Sequence, residues 1–391
     1  MILSDVCEFI VDCPHSTAPD EGKGYPLIRT PNVGKGRLDL NGVHRVSESV
    51  YKQRIQRGAP RTNDLIFARE APAGNVALVQ ENQTVCLGQR TVLIRPNVQK
   101  VNPQYLVYYL LSPKPQYELL GTANGATVAH VNLPAIRNLK IELPEKSVQD
   151  KIGTILVTYD DLIEKNQKQI KLLEEAAQRL YKEWFVDLRF PGHENTKIVD
   201  GVPEGWSKST VGNICKLRKV VITPDKIESN TPYIGLEHMP RNDICLSTWG
   251  KSEEINSNKF IYLKKDVLFG KIRPYFHKVG FALNDGITST DTMVMVADQN
   301  LWGLLLATVS SDAFVDFSYQ NCKEGAKMPR ADWKQMEKYA IMIADQATQK
   351  LFEQEILVIT NKISALAFQC RSLREARDRM LPKLMGGEVE A

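Results

Sequence analysis

Two long stretches of the chain place an apolar side chain at every seventh position, in two interleaved series. This spacing, sustained over 152–184 and again over 352–384, is typical of a helix whose narrow apolar stripe needs a second helix to cover it. We therefore predict that the two stretches pack against each other. The residues expected at this contact are Ile152, Leu156, Tyr159, Ile163, Asn166, Ile170, Leu173, Leu180 and Trp184 in the first stretch, and Phe352, Ile356, Ile359, Ile363, Leu366, Leu373, Met380 and Leu384 in the second.

Two polar residues, Asn166 and Arg377, interrupt these apolar series. A polar side chain at such a position can fix the register of a helix pair at a cost in stability. It is equally typical of a contact that is partly open to water. The pattern leaves both interpretations open, and Arg377 puts the packing at its end of the second helix in question.

Helix-breaking and capping residues mark where both stretches should begin and end. Pro144 and Asp345 come just before the two expected starts. The first end is expected at Pro191, and the second between Pro382 and Gly387, because proline and glycine commonly follow the last helical turn.

The rest of the chain consists of short β-rich runs, such as NVALV, TVLIRP and TMVMVA, separated by Gly, Pro and Asn turns. Only two short helices are predicted there, at 104–111 and 301–310. The expected fold class is α+β, with two β-rich globular domains and two long coiled-coil-like helices. The predicted bounds are 1–144 for the first globular domain, 145–187 for the first long helix, 188–204 for a linker, 205–344 for the second globular domain, 345–386 for the second long helix and 387–391 for a tail.

The two halves of the chain are an internal repeat. LLEEAAQRLYKEWF returns in diluted form as SLREARDRMLPKLM, so that Leu173 corresponds to Leu373. This offset stays constant along the helices, whereas it drifts between matching segments of the globular domains, such as NDLIFAREAPAGNVAL and KDVLFGKIRPYFHKVGFAL. A constant offset is typical of a rigid element, and a drifting one indicates loops of different length. Each half is therefore predicted to be one globular domain followed by one helix.

Composition and charge exclude several classes of protein. With 43% hydrophobic and 25% charged residues, the chain is typical of a globular protein, and no segment is apolar enough for a membrane span. Seven scattered cysteines without a CxxC pair argue against a disulfide framework and a zinc site, and favour a reducing cytoplasm. The net charge of +4 lies mainly in the two globular regions, which favours a polyanionic partner only weakly.

Motifs of catalysis are missing from the sequence. It contains no GxxxxGK[ST] phosphate loop, no GxGxxG dinucleotide loop, no [DNS]PP[YF] tetrapeptide of amino-methyltransferases and no G-x-S-x-G elbow. We predict no catalytic residues and no metal ligands, and expect a recognition protein rather than an enzyme.

Candidate recognition residues cluster in basic loops beside the predicted strands. Arginine and lysine can bond to guanine or phosphate, and asparagine can pair with adenine, although the same loops are also typical of a solvated surface. The DNA-binding candidates are Arg29, Thr30, Asn32, Lys35, Arg37, Arg54, Arg57, Arg61, Arg69 and Arg90 in the first domain, and Lys271, Arg273, Tyr275, His277, Lys278, Lys323, Lys327 and Arg330 in the second.

The order and duplication of these segments resemble one family. LIRTPNVGKG, AREAPAGNVALV, LGQRTVLIRP, ATVAHVNLPAIRNLKIELP, VPEGW and LREARDRMLPKLMGGE together are similar to the DNA-specificity subunit of type I restriction-modification systems. Each motif is degenerate alone, but in this order and in duplicate they cover nearly the whole chain.

The resemblance implies two target-recognition domains related by a pseudo-twofold axis, joined by two helices packed antiparallel. Each domain would read one half of a split, asymmetric target in double-stranded DNA, and the helices would set the gap. Two modification subunits would bind this cytoplasmic scaffold, bring S-adenosylmethionine and methylate adenine, and motor-nuclease restriction subunits would join them in bacterial defence. This chain would hold no cofactor and would not contact a membrane.

Two other hypotheses belong to different classes. The chain could be a coiled-coil assembly protein whose globular domains bind proteins, in which case any DNA retention would be indifferent to base sequence. It could also be a stand-alone DNA enzyme whose site has no recognised motif, which the missing catalytic motifs disfavour.

Overall fold

The computed structural model describes residues 1–121, 130–253, 255–298, 300–322 and 328–389. The chain forms two compact units. Unit 1 comprises Met1–Glu164 together with Ser372–Ala391, and unit 2 comprises Lys165–Arg371. Each unit thus contains one globular domain and segments of both long helices.

In its described residues, unit 1 has eight strands, four short helices and the first part of a long helix. The strands are β1 (Cys7–Asp12), β2 (Tyr25–Ile28), β3 (Gly36–Arg37), β4 (Arg45–Val46), β5 (Leu65–Ala68), β6 (Val76–Leu78), β7 (Cys86–Leu87) and β8 (Thr91–Pro96). The helices are α1 (Glu48–Arg54), α2 (Pro103–Leu111), α3 (Pro113–Gly121), α4 (Leu133–Arg137) and the long α5 (Lys146–Tyr181), which continues into unit 2.

The main sheet of unit 1 has the order β1-β8-β5-β6-β3, and a smaller sheet has the order β4-β2-β7. Neighbouring strands of the main sheet are antiparallel except β3 and β6, which are parallel. Both faces of β5 are buried, which explains why its sequence LIFA is apolar throughout rather than alternating. One face packs on α2 and α5 residues such as Tyr105 and Leu156.

Unit 2 contains the remaining elements. Its strands are β9 (Ile198–Val199), β10 (Val202–Pro203), β11 (Ser207–Thr210), β12 (Cys215–Leu217), β13 (Val221–Ile222), β14 (Tyr233–Ile234), β15 (Cys245–Leu246), β16 (Lys259–Tyr262), β17 (Val267–Gly270), β18 (Val279–Ala282), β19 (Gly286–Thr288), β20 (Thr292–Ala297) and β21 (Ala340–Ile343). Its helices are α6 (Val211–Ile214), α7 (Trp302–Val309), α8 (Asp312–Gln320), α9 (Trp333–Met336) and the long α10 (Gln346–Met385), whose last turns belong to unit 1.

The main sheet of unit 2 repeats that of unit 1. Its order is β12-β20-β17-β18-β15, and again only the last pair, β15 with β18, is parallel. The parallel pair β2–β7 of the smaller sheet also has a counterpart, β14–β19. The second unit adds β13 and β16 to this sheet. The predicted α+β fold and the internal repeat are thus confirmed at the level of strand order and direction.

The long helices run antiparallel where unit 2 contains them both. The Asn166 amide donates to Gln369 Oε1 at 3.3 Å, and the rings of Trp184 and Phe352 lie 5.7 Å apart. Since Asn166 precedes Trp184 while Gln369 follows Phe352, the two chain directions are opposed. Every residue predicted at the helix-helix contact is buried or half-buried.

The two long helices end close to the expected residues. α5 passes into a π-helical turn, Lys182–Val186, before Pro191. α10 begins at an Asp345 cap, whose Oδ1 accepts from the amides of Ala347 and Thr348 at 3.0 and 3.1 Å. Pro382 lies inside the last turns and does not end the helix, which stops at Met385. Among the described residues, no helix combines the length and the apolar character needed to cross a lipid bilayer.

Candidate nucleic-acid interface

The end of β5 and the start of β8 bring three distant chain segments together in unit 1. Ala68 of β5 pairs with Thr91 of β8. The next residues along, Arg69 and Arg90, therefore lie side by side, and the Arg69 amide donates to the Arg90 carbonyl at 2.9 Å. The Val131 amide donates to the Arg69 carbonyl at 3.0 Å, which brings in the segment before α4.

Five alternating charged and polar side chains follow one another at this place, which we call the unit 1 edge. The Arg69 guanidinium donates to Asp12 Oδ2 at 2.6 Å and lies 2.6 Å from His130 Nε2. Because arginine can only donate, Nε2 accepts, and Nδ1 carries the proton that His130 gives to Glu70 at 2.5 Å. The other Glu70 oxygen forms an ion pair with Arg90 at 2.5 Å.

Exposure separates the members of the unit 1 edge. The Arg69 side chain is 11% exposed and has its donors occupied inside the protein, whereas the Arg90 side chain is 62% exposed. Arg90 is also held in the left-handed region, with φ of 65°. Its planar guanidinium is suited to bidentate bonding with a guanine edge or a phosphate.

The equivalent strand ends of unit 2 are built in the same way. Gly270 of β17 pairs with Thr292 of β20. The Lys271 amide donates to the Asp291 carbonyl, and the Ala331 amide donates to the Lys271 carbonyl, both at 2.8 Å. We call Lys271, Asp291 and Arg330 the unit 2 edge.

One exposed position of the unit 2 edge carries the opposite charge to its counterpart in unit 1. Asp291 takes the place of Arg90, and Arg330 takes the place of His130, because each lies at the matching position of the repeated backbone pairing. Arg330 donates to Asp291 Oδ1 at 2.6 Å, and the side chains are 56% and 33% exposed. An acid thus stands where unit 1 presents a base.

Lys271 is the half-buried member of the unit 2 edge. Its Nζ donates to the Thr290 carbonyl at 2.7 Å and lies 5.5 Å from the centre of the Phe260 ring. Burial, and next the charge of Arg330, lower the pKa of the Lys271 ammonium. Burial makes the charged form of this ammonium group unfavourable, and an anion that approaches it stabilises that charged form.

An aromatic turn lies beyond β17, with Arg273 and His277 both in the left-handed region at φ of 51° and 50°. Such conformations are uncommon for residues other than glycine and are concentrated at functional sites. Phe276 packs under the Arg241 guanidinium at 3.9 Å. Tyr275 is 46% exposed and packs edge-on against Tyr319 with the ring centres 5.2 Å apart. Exposed rings beside guanidinium groups can stack on bases.

A family model described as type I restriction modification DNA specificity domain matches residues 1–175. The MjaIX type I specificity subunit of Methanocaldococcus jannaschii is 25% identical over 379 residues, which cover 89% of this chain and 82% of that protein. The EcoBI specificity subunit of Escherichia coli is 28% identical over 145 residues, 36% of this chain and 30% of that protein. The first 175 residues thus match the DNA specificity domain of type I restriction-modification systems, and most of the chain is similar to a type I specificity subunit.

A solved structure has a similar fold. The crystal structure of the S subunit of a type I restriction-modification system from M. genitalium matches with a TM-score of 0.56 and 14% identity, over 98% of this chain and 95% of that chain. At that identity the likeness shows the fold. Type I specificity subunits act with DNA and with other subunits.

The RTPNVGKGR loop uses several of its predicted contact residues to hold its own conformation. The Thr30 hydroxyl donates to the Ala71 carbonyl at 3.3 Å. The Asn32 side chain accepts from the Arg29 amide at 3.1 Å and donates to the Asp39 carbonyl at 3.2 Å. Thr30 and Asn32 are buried, whereas Lys35 is exposed.

The three arginines in and after α1 also divide into a buried residue and exposed residues. Arg54 is buried and donates to the carbonyls of Pro14 at 3.3 Å and Ser16 at 2.5 Å. Arg57 donates to the Cys13 carbonyl at 3.0 Å but remains exposed, as does Arg61. Arg54 therefore organises the surface that Arg57 and Arg61 present.

Further candidates are engaged inside their unit. Arg37 is half-buried and paired with Asp161. His277 Nε2 lies 2.9 Å from the Ser310 carbonyl, and the Lys278 ammonium donates to the Leu236 carbonyl at 2.5 Å. Burial is also the first cause that lowers the pKa of Lys278.

The predicted set therefore falls into two groups. The exposed candidates are Lys35, Arg57, Arg61, Arg90, Tyr275 and Arg330, while Arg29, Thr30, Asn32, Arg37, Arg54, Arg69, Lys271, Arg273, His277 and Lys278 are buried or half-buried. Lys323 and Lys327 lie outside the described residues. DNA contact stays a prediction for every member.

Sequence reasoning missed three residues of these surfaces. Arg241 is exposed over Phe276, but it lies in a loop without a basic cluster. Asp12 and His130 were missed because their partners come from remote segments. Aligning the two repeats strand by strand is the signal that would have placed His130 opposite Arg330.

Proposed function

We propose that this chain is the DNA-specificity subunit of a type I restriction-modification system, in which each globular domain reads one half of a bipartite target. The observation that supports this proposal best is the pair of matching edges. One strand framework occurs twice, and its equivalent exposed positions carry Arg90 in unit 1 and Asp291 with Arg330 in unit 2.

The chemistry of the two edges predicts unequal half-sites. An arginine fork such as Arg90 favours guanine, because O6 and N7 both accept. A carboxylate such as Asp291 favours the amino group of cytosine, which donates. Arg330 and Lys271 would position the second domain on phosphates. Two domains with different edges require an asymmetric target in double-stranded DNA.

The long helices offer surface for protein partners. Leu162 and Leu172 on α5, and Leu351, Val358 and Phe368 on α10, are large apolar side chains that are 41–66% exposed. Exposed apolar residues on a helix favour contact with another protein. We propose that two modification subunits dock along these helices, supply S-adenosylmethionine and methylate adenine after extruding it from the duplex. Restriction subunits would join this assembly.

On this proposal the chain recognises and positions, and its partners catalyse. Purified alone it should neither methylate nor cut DNA. Co-purified with its modification subunit it should methylate adenine within one split, asymmetric sequence, which methylome sequencing of cells with and without the gene would identify.

Two results would contradict the proposal. Methylation by this chain alone, dependent on S-adenosylmethionine, would show a catalytic site. Retention of DNA by the complex that is indifferent to base sequence would favour the assembly-protein hypothesis, in which the exposed helix residues and the globular domains all bind proteins.

A further inference from the structure

Arg377, the residue that breaks the apolar series of α10, pairs with a buried acid of α5. In unit 1 its guanidinium bonds to Asp160, which is 3% exposed. The Tyr108 hydroxyl donates to the other Asp160 oxygen at 2.5 Å. Arg377 also bonds to exposed Asp378 at 2.9 and 3.0 Å. The interruption of the series is thus an ion pair inside the helix-helix contact.

The corresponding place in unit 2 is uncharged. The repeat converts Asp160 into Thr360, Arg377 into Ala177 and, by the matching hydrogen bonds of α2 and α7, Tyr108 into Ala307, and all three are buried. In the described residues, the Thr360 hydroxyl bonds only within its own helix, to the carbonyls of Ile356 at 2.7 Å and Leu357 at 3.3 Å. The matching ends of the helix pair therefore have the same geometry but different chemistry.

This difference matters because α5 and α10 are copies of one helix. Each carries a similar apolar stripe, so burial of apolar area alone does not distinguish α5 with α10 from α5 with the α5 of another chain. An antiparallel pair of two α5 helices in this register would place each Asp160 opposite Ala177 of the second copy. Two α10 helices would place each Arg377 opposite Thr360.

Two paired α5 helices would leave each Asp160 buried without a cation, and two paired α10 helices would leave each Arg377 with only the exposed Asp378 of its own helix. A buried ion pair contributes little net stability, but removing one partner is strongly destabilising because the other charge stays desolvated. A single polar pair in an apolar contact is also an established way to fix the register and partner of a helix.

We propose that Asp160 and Arg377, with the Tyr108 hydroxyl, select α5–α10 pairing in one register and exclude association with a second copy of this chain through like helices. The selection is one-sided, because the unit 2 end lacks the charges. It does not depend on what the globular domains recognise.

The test uses the full-length chain. Two copies with different affinity tags are co-expressed, purified through one tag and probed for the other. Wild-type copies should not co-purify. The near-isosteric variant D160N/R377Q and the unit 2 mimic Y108F/D160T/R377A remove the charges, and both should raise co-purification about 5-fold or more.

Thermal unfolding of the single variants provides the second measurement. R377Q alone should lower Tm by about 5–10 °C, because Asp160 is left buried without its cation. D160N should cost less, because Arg377 keeps Asp378. The double variant should recover part of the loss. E48Q, which removes an exposed ion pair with Lys52 on α1, is the matched control and should change neither readout.

Three results would overturn the proposal. Wild-type copies that associate as readily as the neutral variants would show that the ion pair selects nothing. Neutral variants that fold and remain as separate as wild type would place the selectivity elsewhere. A double variant less stable than both single variants would show that the two side chains are not coupled.

Discussion

The main sheets of the two units share strand order and direction but differ at their edges. The strands β5 and β17 are buried on both faces, so both must be apolar and regular. Arg90 and Asp291, by contrast, lie just outside the ladder, where water or a ligand can satisfy either charge. Duplication therefore preserved what burial dictates and left the strand ends free to take opposite charges.

A second contrast lies within the sheets. Asp64 and Asp266 occupy equivalent positions before β5 and β17, and each is paired with an arginine. The arginine of unit 1 is Arg95 of β8, bonded at 2.7 and 2.9 Å, whereas that of unit 2 is Arg218 beyond β12, at 2.9 Å. Both units thus have a buried carboxylate at this position, but the arginine that pairs with it comes from a different part of the sheet in each unit.

The largest expected effect concerns these two acids. Asp64→Ala should destabilise unit 1 by about 3–5 kcal/mol, because the Arg95 side chain is only 13% exposed and loses its counter-ion. Asp266→Ala should cost less, about 1–3 kcal/mol, because Arg218 is 25% exposed and reaches water more readily. Native-state hydrogen exchange of the β5 and β17 amides resolves the two units.

The matched control is D64A/R95L, which removes both charges and should recover much of the loss. Equal destabilisation by the two single variants would mean that the exposure of the arginine does not decide the cost.

A pH-dependent change in stability is expected in unit 2. Glu174 of α5 is buried, accepts from the Ile244 and Cys245 amides at 2.9 and 3.1 Å, and corresponds to exposed Arg374 in the repeat. Burial, and next the charge of Asp243, raise the pKa of Glu174 to about 7. The folded state therefore holds this proton more tightly than the unfolded chain, whose ordinary value is 4.5.

The sign of the effect follows from this raised pKa. The contribution of Glu174 to stability is complete below about pH 4.5 and is lost as the pH rises through 7, a change of about 1–3 kcal/mol. Glu174→Gln keeps an oxygen acceptor for the two amides but cannot ionise, so its stability should decline less between pH 5 and 8. Hydrogen exchange of those amides measures it. The same pH slope in both proteins would rule out this role.

The smallest expected effect, and the most specific, concerns recognition. R90A should weaken binding of the modification complex to its target about 10-fold, or about 1.4 kcal/mol, and relax discrimination in one half-site only. R330A should likewise weaken binding and relax discrimination, but in the other half-site. Binding to duplexes altered in one half at a time measures the effect. R90K separates bidentate bonding from charge, because lysine keeps the charge without the fork. If one variant weakened discrimination equally in both half-sites, the assignment of one half-site to each domain would be wrong.

Much of the fold could be predicted because it rests on local pattern. The heptad spacing located α5 and α10, and the short helices α2 and α7 lie where they were expected. The constant offset of the repeat anticipated one strand framework used twice. α10 ends at Met385, between Pro382 and Gly387 as expected, although Pro382 itself lies inside the helix.

The candidate site was harder to predict, because exposure depends on remote partners. Arg54 and Arg90 are both arginines in basic surroundings, yet one is buried against the carbonyls of Pro14 and Ser16 and the other is 62% exposed. No local signal distinguishes them.

The sequence by itself determined the periodicity and the duplication, because these depend on spacing along the chain. Only the tertiary structure decided which charged side chains are paired inside a unit and which are exposed at its edges. Arg377 shows the reason. Its role depends on Asp160, more than two hundred residues earlier in the chain, and a buried charge is stabilised by its neighbours in space rather than in sequence.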